Sequence, residues 1–240
     1  MRDQTTIAVV PARGNSSLRD KHLLEVKGKP VVAYSLEWCL NLPVDAVVLT
    51  SDSQDILNVA RHYPDVIPLH RPPLFASDHS TLADVYRHAV DFFEASEEVM
   101  VDTVVGAQGC VIIRPSDLYH RARAVFDELA ECTCVSSFCE AMTHPNWTFD
   151  LQKKPEWATS RAPGHPVNRQ QLEKVYQRDG GIYLFKRRNL DSHDVWAHVG
   201  GQEAWVLNPK GAVLDIDSEM DLLLARAIIE PIHIFQNNQT

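Results

Sequence analysis

The chain has 240 residues, with 23 basic and 32 acidic side chains and a formal net charge of −9 at pH 7 when histidine is neutral. Apolar residues make up 45% of it and charged residues 23%, which excludes a disordered, fibrous or membrane protein. The acidic balance argues against a general nucleic-acid binder, because contacts to phosphates need a basic surface.

The length predicts one domain over residues 1–240, since domains contain roughly 100–200 residues. Every apolar run is shorter than the ~20 residues that span a membrane, and the first, at 7–11, is too short for a signal peptide. The cysteines lack the spacing of a disulfide framework, and Cys132, Cys134 and Cys139 favour a buried strand over a zinc site. We therefore expect a cytoplasmic protein without membrane or nucleic-acid partners.

Short apolar runs alternate with segments of helical period, which predicts an α/β fold with a mostly parallel sheet and helices on both faces. The expected strands are 7–11, 46–50, 66–69, 101–105, 181–185 and 213–216. Three helices are expected at 31–40, with Pro30 at its first position, at 55–62 and at 219–229. A fourth follows a Ser80 cap, and a fifth has Leu118, Ala122, Val125 and Leu129 on its apolar face.

The pattern changes between about residues 142 and 177. Three prolines and three large aromatic residues (Trp147, Phe149 and Trp157) replace the alternation of strands and helices there. We interpret this stretch as an excursion from the main sheet, such as an arm or a dimerisation element, and not as a separate domain.

The first predicted strand runs into the turn Arg13-Gly14-Asn15-Ser16-Ser17. A glycine permits close backbone approach, and the following amides can bind an anion beside the positive charges of Arg13 and Lys21. Neither of the two common nucleotide-binding patterns, G-x-x-x-x-G-K-[ST] and G-x-G-x-x-G, is present in the turn. An ordinary solvated turn is the alternative interpretation.

A pair of carboxylates, Asp215 and Asp217, ends a late predicted strand. Residues two apart on a strand point to the same face, so both carboxylates could bind one hard cation such as Mg²⁺. The alternative is that Asp217 or Ser218 only caps the helix that follows, and both interpretations can hold together.

Other polar residues lie near predicted strand ends, where open α/β sheets bind their ligands. They are Ser51, Asp52, Arg71, Ser77, Asp78, Gln108 and Arg114. Arg169, Gln170 and Gln171 lie in the excursion and could contact a substrate or a neighbouring subunit. Taken alone, each residue near a strand end is more often a turn or surface residue. The three residues of the excursion fit a solvated loop equally well.

An ordered set of short segments extends over nearly the whole chain. Its members are Ile7 to Ser16 with Lys21, Gly28 to Pro30, Thr50 to Ser53, Arg71 to Asp78, His144 to Trp147, Arg169 to Leu172, Gly180 to Tyr183, and Asp215 to Glu219 with Asp221 and Leu222. In this order they resemble the cytidylyltransferases that activate sialic acids and related nonulosonic acids. The ketodeoxyoctulosonate cytidylyltransferases share the opening but fit less well.

The resemblance implies a Rossmann-like nucleotidyltransferase fold with a protruding dimerisation arm, working as a homodimer. It implies an enzyme that uses CTP and Mg²⁺ to make a CMP-sugar and pyrophosphate from an acidic sugar. Transferred by position, the triphosphate would be held by Arg13, Asn15, Ser16 and Lys21, and the cytidine pocket would be lined by Arg71, Ser77 and Asp78. The sugar would face Gln108 and Tyr183, with Arg169 and Gln170 reaching the sugar site in the partner subunit, and Asp215 and Asp217 would carry Mg²⁺. Arg13, Lys21, Asp215 and Asp217 are then the expected catalytic residues.

The chain departs from the family pattern around this expected site. The family pattern has a lysine in the loop where this chain has Ser17. Lys21, Arg19 or His22 could supply the missing positive charge in the nucleotide site. The segment from Gln108 to Arg114 keeps only the ends of the usual motif, and Asp179 brings an acidic group to the expected sugar site.

These departures suggest an acceptor that is not ordinary N-acetylneuraminic acid but a related nonulosonic acid. The same chemistry on ketodeoxyoctulosonate or a phosphonate is an alternative, as are a catalytically weak nucleotide-binding protein and a sugar-1-phosphate nucleotidyltransferase.

Overall fold

The computed structural model describes residues 5–14, 18–77, 80–151, 158–161, 168–191 and 202–229. Its main sheet has seven strands: β1 Thr5–Pro11, β2 Ala46–Ser51, β3 Val66–His70, β4 Val101–Gly106, β5 Cys132–Glu140, β6 Tyr176–Lys186 and β7 Gln202–Leu207. They lie in the order β7-β5-β6-β4-β1-β2-β3. Only β6 runs antiparallel to its neighbours, so the prediction of a mostly parallel sheet is confirmed.

Helices cover both faces of this sheet. The helices are α1 Val31–Leu40, α2 Gln54–Val59, α3 Leu82–Glu97, α4 Leu118–Glu128 and α5 Glu219–Ile229. In β1, Ala8 and Val10 pack in one core cluster with residues of α1, α2 and α4, whereas Ile7 and Val9 pack in a second cluster with α3. Both faces of β1 must therefore be apolar, which explains its continuous apolar run.

Several short elements connect the layers. Single 3₁₀ turns lie at Ala60–His62, Pro73–Phe75, Pro145–Trp147, Arg169–Gln171 and Arg187–Asp191. Three two-stranded pairs join Glu25–Val26 to Lys29–Pro30, Val111–Ile113 to Leu214–Asp215, and Phe149–Leu151 to Ala158–Ser160. The strand expected at 213–216 thus exists at Leu214–Asp215, but it lies outside the main sheet. The strand β7 was not predicted.

Local hydrogen bonds correct the expected helix ends. The cap of α3 is Thr81 and not Ser80, because Thr81 and Asp84 form a reciprocal capping box, whereas the Ser80 hydroxyl donates to the carbonyl of Leu74. Pro30 is the cap of α1 and not its first residue. In α4 the buried residue of the last turn is Phe126, and Leu129 is 48% exposed because the helix ends at Glu128.

The excursion at about 142–177 contains the pair Phe149–Leu151 and Ala158–Ser160, apart from the seven-stranded sheet. Trp157 lies outside the described residues. Phe149 and Leu151 are exposed in the single chain. A role of this segment in dimerisation stays a prediction.

All five cysteines are free thiols with buried side chains, as their apolar surroundings predict. Across the described ranges, no helix is both long enough and apolar enough to cross a bilayer.

The strand β6 bends at a pair of glycines, Gly180 and Gly181. Gly180 has a φ of +73°, and the register of β6 against β5 shifts between Arg178 and Tyr183. A Cβ atom on Gly181 would lie 2.9 Å from both Leu118 Cδ2 and Ser137 Oγ. Only the absence of a side chain lets α4 approach the strand here.

We expect Gly181→Ala to lower the free energy of unfolding by about 1–3 kcal/mol, because the neighbours of the new methyl group are tightly packed. Urea denaturation of the two proteins measures the difference. An unchanged midpoint would show that Leu118 and Ser137 move aside without cost.

Candidate active site

A cleft of about 340 Å³ opens beside the carboxyl ends of β1 and β4, the edge at which α/β sheets bind ligands. It is lined by Pro11, Arg13, Lys21, His22, Arg71, Phe75, Ser77, Ser80, Leu82, Val85, Gln108 and Cys110. Six of these residues were predicted from the sequence as site residues, and three of the six are basic. The fold therefore gathers positive charge in one cleft of an acidic protein.

The turn after β1 is held against the end of β2. The Gly14 amide donates to Asp52 Oδ1 over 2.9 Å, and a Cβ atom on Gly14 would lie 2.9 Å from the Ser53 Cβ. The glycine is therefore needed for close approach. Asn15, Ser16, Ser17 and also Asp78 lie outside the described residues, so their expected contacts with a nucleotide stay predictions.

Lys21 lies in the cleft and forms an ion pair with Asp217. The Nζ to Oδ1 distance is 2.8 Å, and the Lys21 side chain is 9% exposed whereas that of Asp217 is 65% exposed. Burial by itself lowers the pKa of Lys21, but the neighbouring Cys110, Asp217 and Asp215 outweigh it and raise the pKa above its usual value. Lys21 is therefore a fixed positive charge at neutral pH.

Asp215 lies behind this ion pair with a buried carboxylate whose Oδ1 atom has no hydrogen-bond partner among the described residues. Burial and the nearby Asp217 raise the pKa of Asp215, although Cys110, Lys21 and Arg114 oppose the shift. An unsatisfied buried acceptor beside a second carboxylate is unfavourable without a cation. The two side chains fit a divalent cation in this respect.

The alternative to a metal site was that Asp217 or Ser218 only caps the helix α5. The hydrogen bonds of this cap do not use the Asp217 carboxylate. Asp221 accepts hydrogen bonds from the amides of Asp217 and Ser218, and its own amide donates to the Ser218 hydroxyl. Ser218 is thus the cap of α5, as one alternative predicted, and the Asp217 carboxylate is not needed for it. Among the described residues no group of three His, Cys, Asp or Glu side chains suits a metal ion, so phosphate and water would complete the shell.

Arg71 forms a buried wall of the cleft. Its Nη2 donates to the carbonyls of Thr50 and Ala12 over 2.8 and 3.1 Å, and its Nη1 donates to Phe75 over 3.4 Å. Burial lowers its pKa to about 10, so the guanidinium stays charged. Arg71 thereby ties the ends of β1 and β2 to the turn at Pro73–Phe75.

Gln108 and Tyr183 lie together, with a hydrogen bond between their side chains. Gln108 lines the cleft, whereas Tyr183 is 6% exposed behind it, and burial raises the Tyr183 pKa. The Gly109 amide donates to the Pro11 carbonyl over 3.2 Å, which keeps this loop against β1. Of this pair, Gln108 lines the cleft and Tyr183 does not.

The Asp179 carboxylate is satisfied within the protein. Its Oδ1 accepts from the Ser137 hydroxyl at 2.5 Å and the Gly181 amide at 3.0 Å, and its Oδ2 accepts from Asn208 at 2.8 Å. The residue is not among those that line the cleft. Its contact with the sugar stays a prediction.

Gln170 lies in a different cavity, of about 220 Å³, together with His144 and Trp147. Arg169 begins the 3₁₀ turn Arg169–Gln171, and its side chain is not described. Within one chain Gln170 therefore does not reach the cleft, and its expected place in a partner's site stays a prediction.

The cleft is also lined by Phe75, Leu82, Val85 and Cys110, which no sequence pattern marked as site residues. Leu82 and Val85 follow the helical period of α3, which by itself indicates only a buried face. The first turn of that helix instead faces the cleft, where it adds an apolar wall next to Phe75. Periodicity shows that such residues are buried, but not whether protein or ligand covers them.

His22 is buried in the cleft wall, with Nδ1 at 3.0 Å from the Arg13 carbonyl oxygen. A carbonyl only accepts, so Nδ1 carries the proton. Burial, assisted by Lys21, lowers the His22 pKa to about 4. His22 therefore adds no positive charge at neutral pH in place of the missing loop lysine.

We expect this histidine to make the protein less stable in acid. Between pH 6.5 and 4 this histidine is protonated in the unfolded chain but neutral in the folded protein. The free energy of unfolding therefore falls by up to about 3 kcal/mol as the pH falls through this range. Denaturation at a series of pH values should show a shallower decline for His22→Asn. Parallel curves for the two proteins would contradict the shifted pKa.

The chain is similar in sequence to known proteins over most of its length. A family model described as Cytidylyltransferase matches residues 7–196. The chain is 25% identical over 233 residues to the pseudaminic acid cytidylyltransferase of Campylobacter jejuni subsp. jejuni, covering 95% of this chain and 97% of the relative. It is 26% identical over 226 residues to the N-acylneuraminate cytidylyltransferase of Escherichia coli O18:K1:H7, covering 92% and 51%.

Among solved structures, a CMP:2-keto-3-deoxy-manno-octonic acid synthetase complexed with CTP has the same fold, with a TM-score of 0.68 at 16% identity over 94% of this chain and 98% of the other. A 4-diphosphocytidyl-2C-methyl-D-erythritol synthase has a TM-score of 0.66 at 15% identity, covering 95% and 100%. The expected Rossmann-like nucleotidyltransferase fold is confirmed. Because the Cytidylyltransferase family model matches most of the sheet and the cleft, this chain belongs to the cytidylyltransferase family.

Proposed function

We propose that the protein transfers CMP from CTP to a hydroxyl group of an acidic sugar of the nonulosonic class. The observation that carries the proposal is the basic cleft of Arg13, Lys21 and Arg71, bordered by the carboxylates Asp215 and Asp217. A triphosphate needs such a concentration of positive charge, and the chain as a whole is acidic.

The reaction is an in-line displacement at phosphorus. The sugar hydroxyl oxygen forms a bond to the α-phosphorus, the bond from that phosphorus to the bridging oxygen breaks, and pyrophosphate leaves with both bonding electrons. The hydroxyl proton is released to a carboxylate or water. Catalysis then consists largely of positioning and charge neutralisation.

The side chains of the cleft have distinct parts in this reaction. Lys21 and Arg13 neutralise the phosphate oxygens, and Arg71 shapes the nucleotide wall beside the apolar surface of Phe75. Gln108, oriented by Tyr183, faces the acceptor. Asp215 and Asp217 would hold Mg²⁺, which when bound supplies additional charge stabilisation to the phosphates.

The substrate class is supported by the names of the relatives and by the changes in the site. Two proteins of Campylobacter jejuni named pseudaminic acid cytidylyltransferase align with 95% of the chain. The relative named for N-acylneuraminate is similar to the same extent, 26% identical over 92% of the chain, and both names belong to the nonulosonic class. Ser17 in place of the loop lysine supports a nonulosonic acid other than N-acetylneuraminic acid within that class. Homodimerisation through the excursion and a cytoplasmic location are parts of the same proposal.

The first experiment measures pyrophosphate release from CTP and Mg²⁺ with a panel of nonulosonic acids, ketodeoxyoctulosonate and small phosphonates. Controls omit the acceptor or replace CTP with ATP. We expect release only with CTP and a nonulosonic acid. Release with ketodeoxyoctulosonate or a phosphonate alone would move the assignment to that acceptor, and binding of CTP without release would favour a catalytically weak nucleotide-binding protein.

A further inference from the structure

Arg114 is the centre of a hydrogen-bond network between α1, the loop after β4 and the strand β6. Its Nε donates to the Gly181 carbonyl over 2.8 Å, its Nη2 to the Gln108 carbonyl over 2.9 Å, and its Nη1 to the Val111 carbonyl over 2.8 Å. Nη1 also donates to the Ser35 hydroxyl over 3.1 Å. The guanidinium lies 4.9 Å from the centroid of the Trp38 ring.

Ser35 reinforces the same loop from α1. Its side chain is fully buried, and its hydroxyl lies 2.7 Å from the Gln108 carbonyl oxygen and 2.9 Å from that of Val111. The hydroxyl can donate to one of these carbonyls while it accepts from Arg114. Two side chains from different elements therefore hold the backbone of the loop that carries Gln108.

The network does not itself form part of the cleft surface. Neither Arg114 nor Ser35 is among the residues that line it. The backbone groups that Arg114 holds are nevertheless adjacent to the proposed acceptor side of the cleft. Gln108 lines the cleft, and Gly181 lies two residues before Tyr183, whose side chain is hydrogen-bonded to Gln108. The guanidinium of Arg114 thus joins the loop that carries Gln108 to the strand that carries Tyr183, in addition to the sheet pairing of Tyr183 with Gly106.

A lysine could not replace this group. The planar guanidinium directs several N–H groups at once, whereas an ammonium is a compact charge with three donors in another geometry. At least one carbonyl would lose its partner inside the protein, which costs more than the loss of an exposed hydrogen bond. The loop and the strand would then be free to shift apart.

We propose that Arg114, assisted by Ser35, is a positioning residue that sets Gln108 and Tyr183 for recognition of the acceptor. The inference rests on the proposed function, because it assigns the acceptor to the Gln108 side of the cleft. Among the described residues, the hydrogen bonds of Arg114 reach none of Arg13, Lys21 and Arg71, so this nucleotide side is expected to keep its geometry. Asp215 pairs with Val111 of the loop that Arg114 holds, so kcat is expected to fall as the acceptor KM rises.

Steady-state kinetics of Arg114→Lys test this division. We expect KM for the acceptor to rise about tenfold, as the loss of a charged hydrogen bond implies, while KM for CTP changes by less than about twofold. Ser35→Ala should shift the acceptor KM in the same direction by about three- to fivefold, because it removes a neutral donor. The double variant should show less than the sum of the two effects in free energy, since both residues act on one loop.

Arg87→Lys is the matched control. Arg87 also donates to a backbone carbonyl, that of Leu190, over 2.8 Å, but it lies on α3 and does not line the cleft. It should leave both KM values unchanged. If Arg114→Lys does not fold, Ser35→Ala decides the question alone.

Equal rises in both KM values, or no change in either with folded Arg114→Lys and Ser35→Ala, would overturn the positioning role. These outcomes require an active wild-type enzyme. A wild type that releases no pyrophosphate with any acceptor instead contradicts the proposed function, so the two failures are distinguishable.

Discussion

Asp215→Asn and Asp217→Asn are each expected to lower kcat/KM by about a hundredfold to a thousandfold, the range seen when a transition-state charge stabiliser is removed. The reason is that an amide keeps the size of the side chain but removes the negative charge that would attract a divalent cation. Mg²⁺-dependent pyrophosphate release measures the loss. Activity close to wild type for both variants at saturating Mg²⁺ would refute the proposed metal role.

The stability of these variants separates loss of charge from loss of fold. The pKa of Asp215 is raised in the folded protein, so this carboxylate destabilises the fold increasingly as the pH rises through that pKa. Asp215→Asn should therefore unfold at the same temperature as the wild type or higher at pH 7 without metal. Asp217→Asn should lower the stability, because Lys21, whose side chain is 9% exposed, loses its ion-pair partner.

Asp221→Asn is the matched control for this pair. Asp221 is a carboxylate in the same segment, but its hydrogen bonds go to the cap of α5. The variant should lose about 1 kcal/mol of stability through the weakened cap and keep most of its activity. An activity loss as large as that of Asp215→Asn would show that the segment as a whole, and not the paired carboxylates, controls turnover.

Lys21→Met is expected to lower kcat/KM for CTP by at least about a hundredfold, since it removes a buried positive charge from a site with low solvent access. Methionine fills much of the space of the lysine stem, so the cleft wall is preserved. Direct binding of CTP by calorimetry should weaken in parallel, because the charge acts on the triphosphate in the bound state as well.

Lys29→Met provides the control for a lysine that forms an ion pair outside the cleft. Lys29 Nζ lies 2.6 Å from Glu37 Oε2 and is not a cleft residue. It should bind CTP like the wild type. If the two lysine variants bind CTP equally well, Lys21 has no part in triphosphate binding, and its ion pair with Asp217 is only structural.

Elements with a strong local sequence pattern lie where they were predicted. The bounds of α1 and α5 agree with the predicted ranges, and four predicted strands lie within β1, β2, β3 and β4. These elements have strong short-range patterns, because a buried parallel strand is apolar on both faces and an amphipathic helix repeats with its own period. The caps at Thr81 and Ser218 were harder to place, since neighbouring serine and threonine residues offer the same chemistry.

The candidate site was predicted in part. Arg13, Lys21, Arg71 and Gln108 follow strands or turns and do meet in one cleft. Asp179 does not line the cleft, and its carboxylate accepts hydrogen bonds from Ser137 and Asn208, which lie on other segments. Which way a side chain faces is decided by donors that belong to other elements.

The sequence by itself determined the alternation of strands and helices, the basic residues after β1 and the paired carboxylates before α5, because each is written in adjacent residues. Only the tertiary structure decided that Lys21 pairs with Asp217 across 196 residues, that β6 runs antiparallel inside the sheet, and that Arg114 supports Gln108 from behind. These contacts depend on how distant segments pack around a shared core. Their energy comes from burial and hydrogen bonds that exist only once the chain has folded.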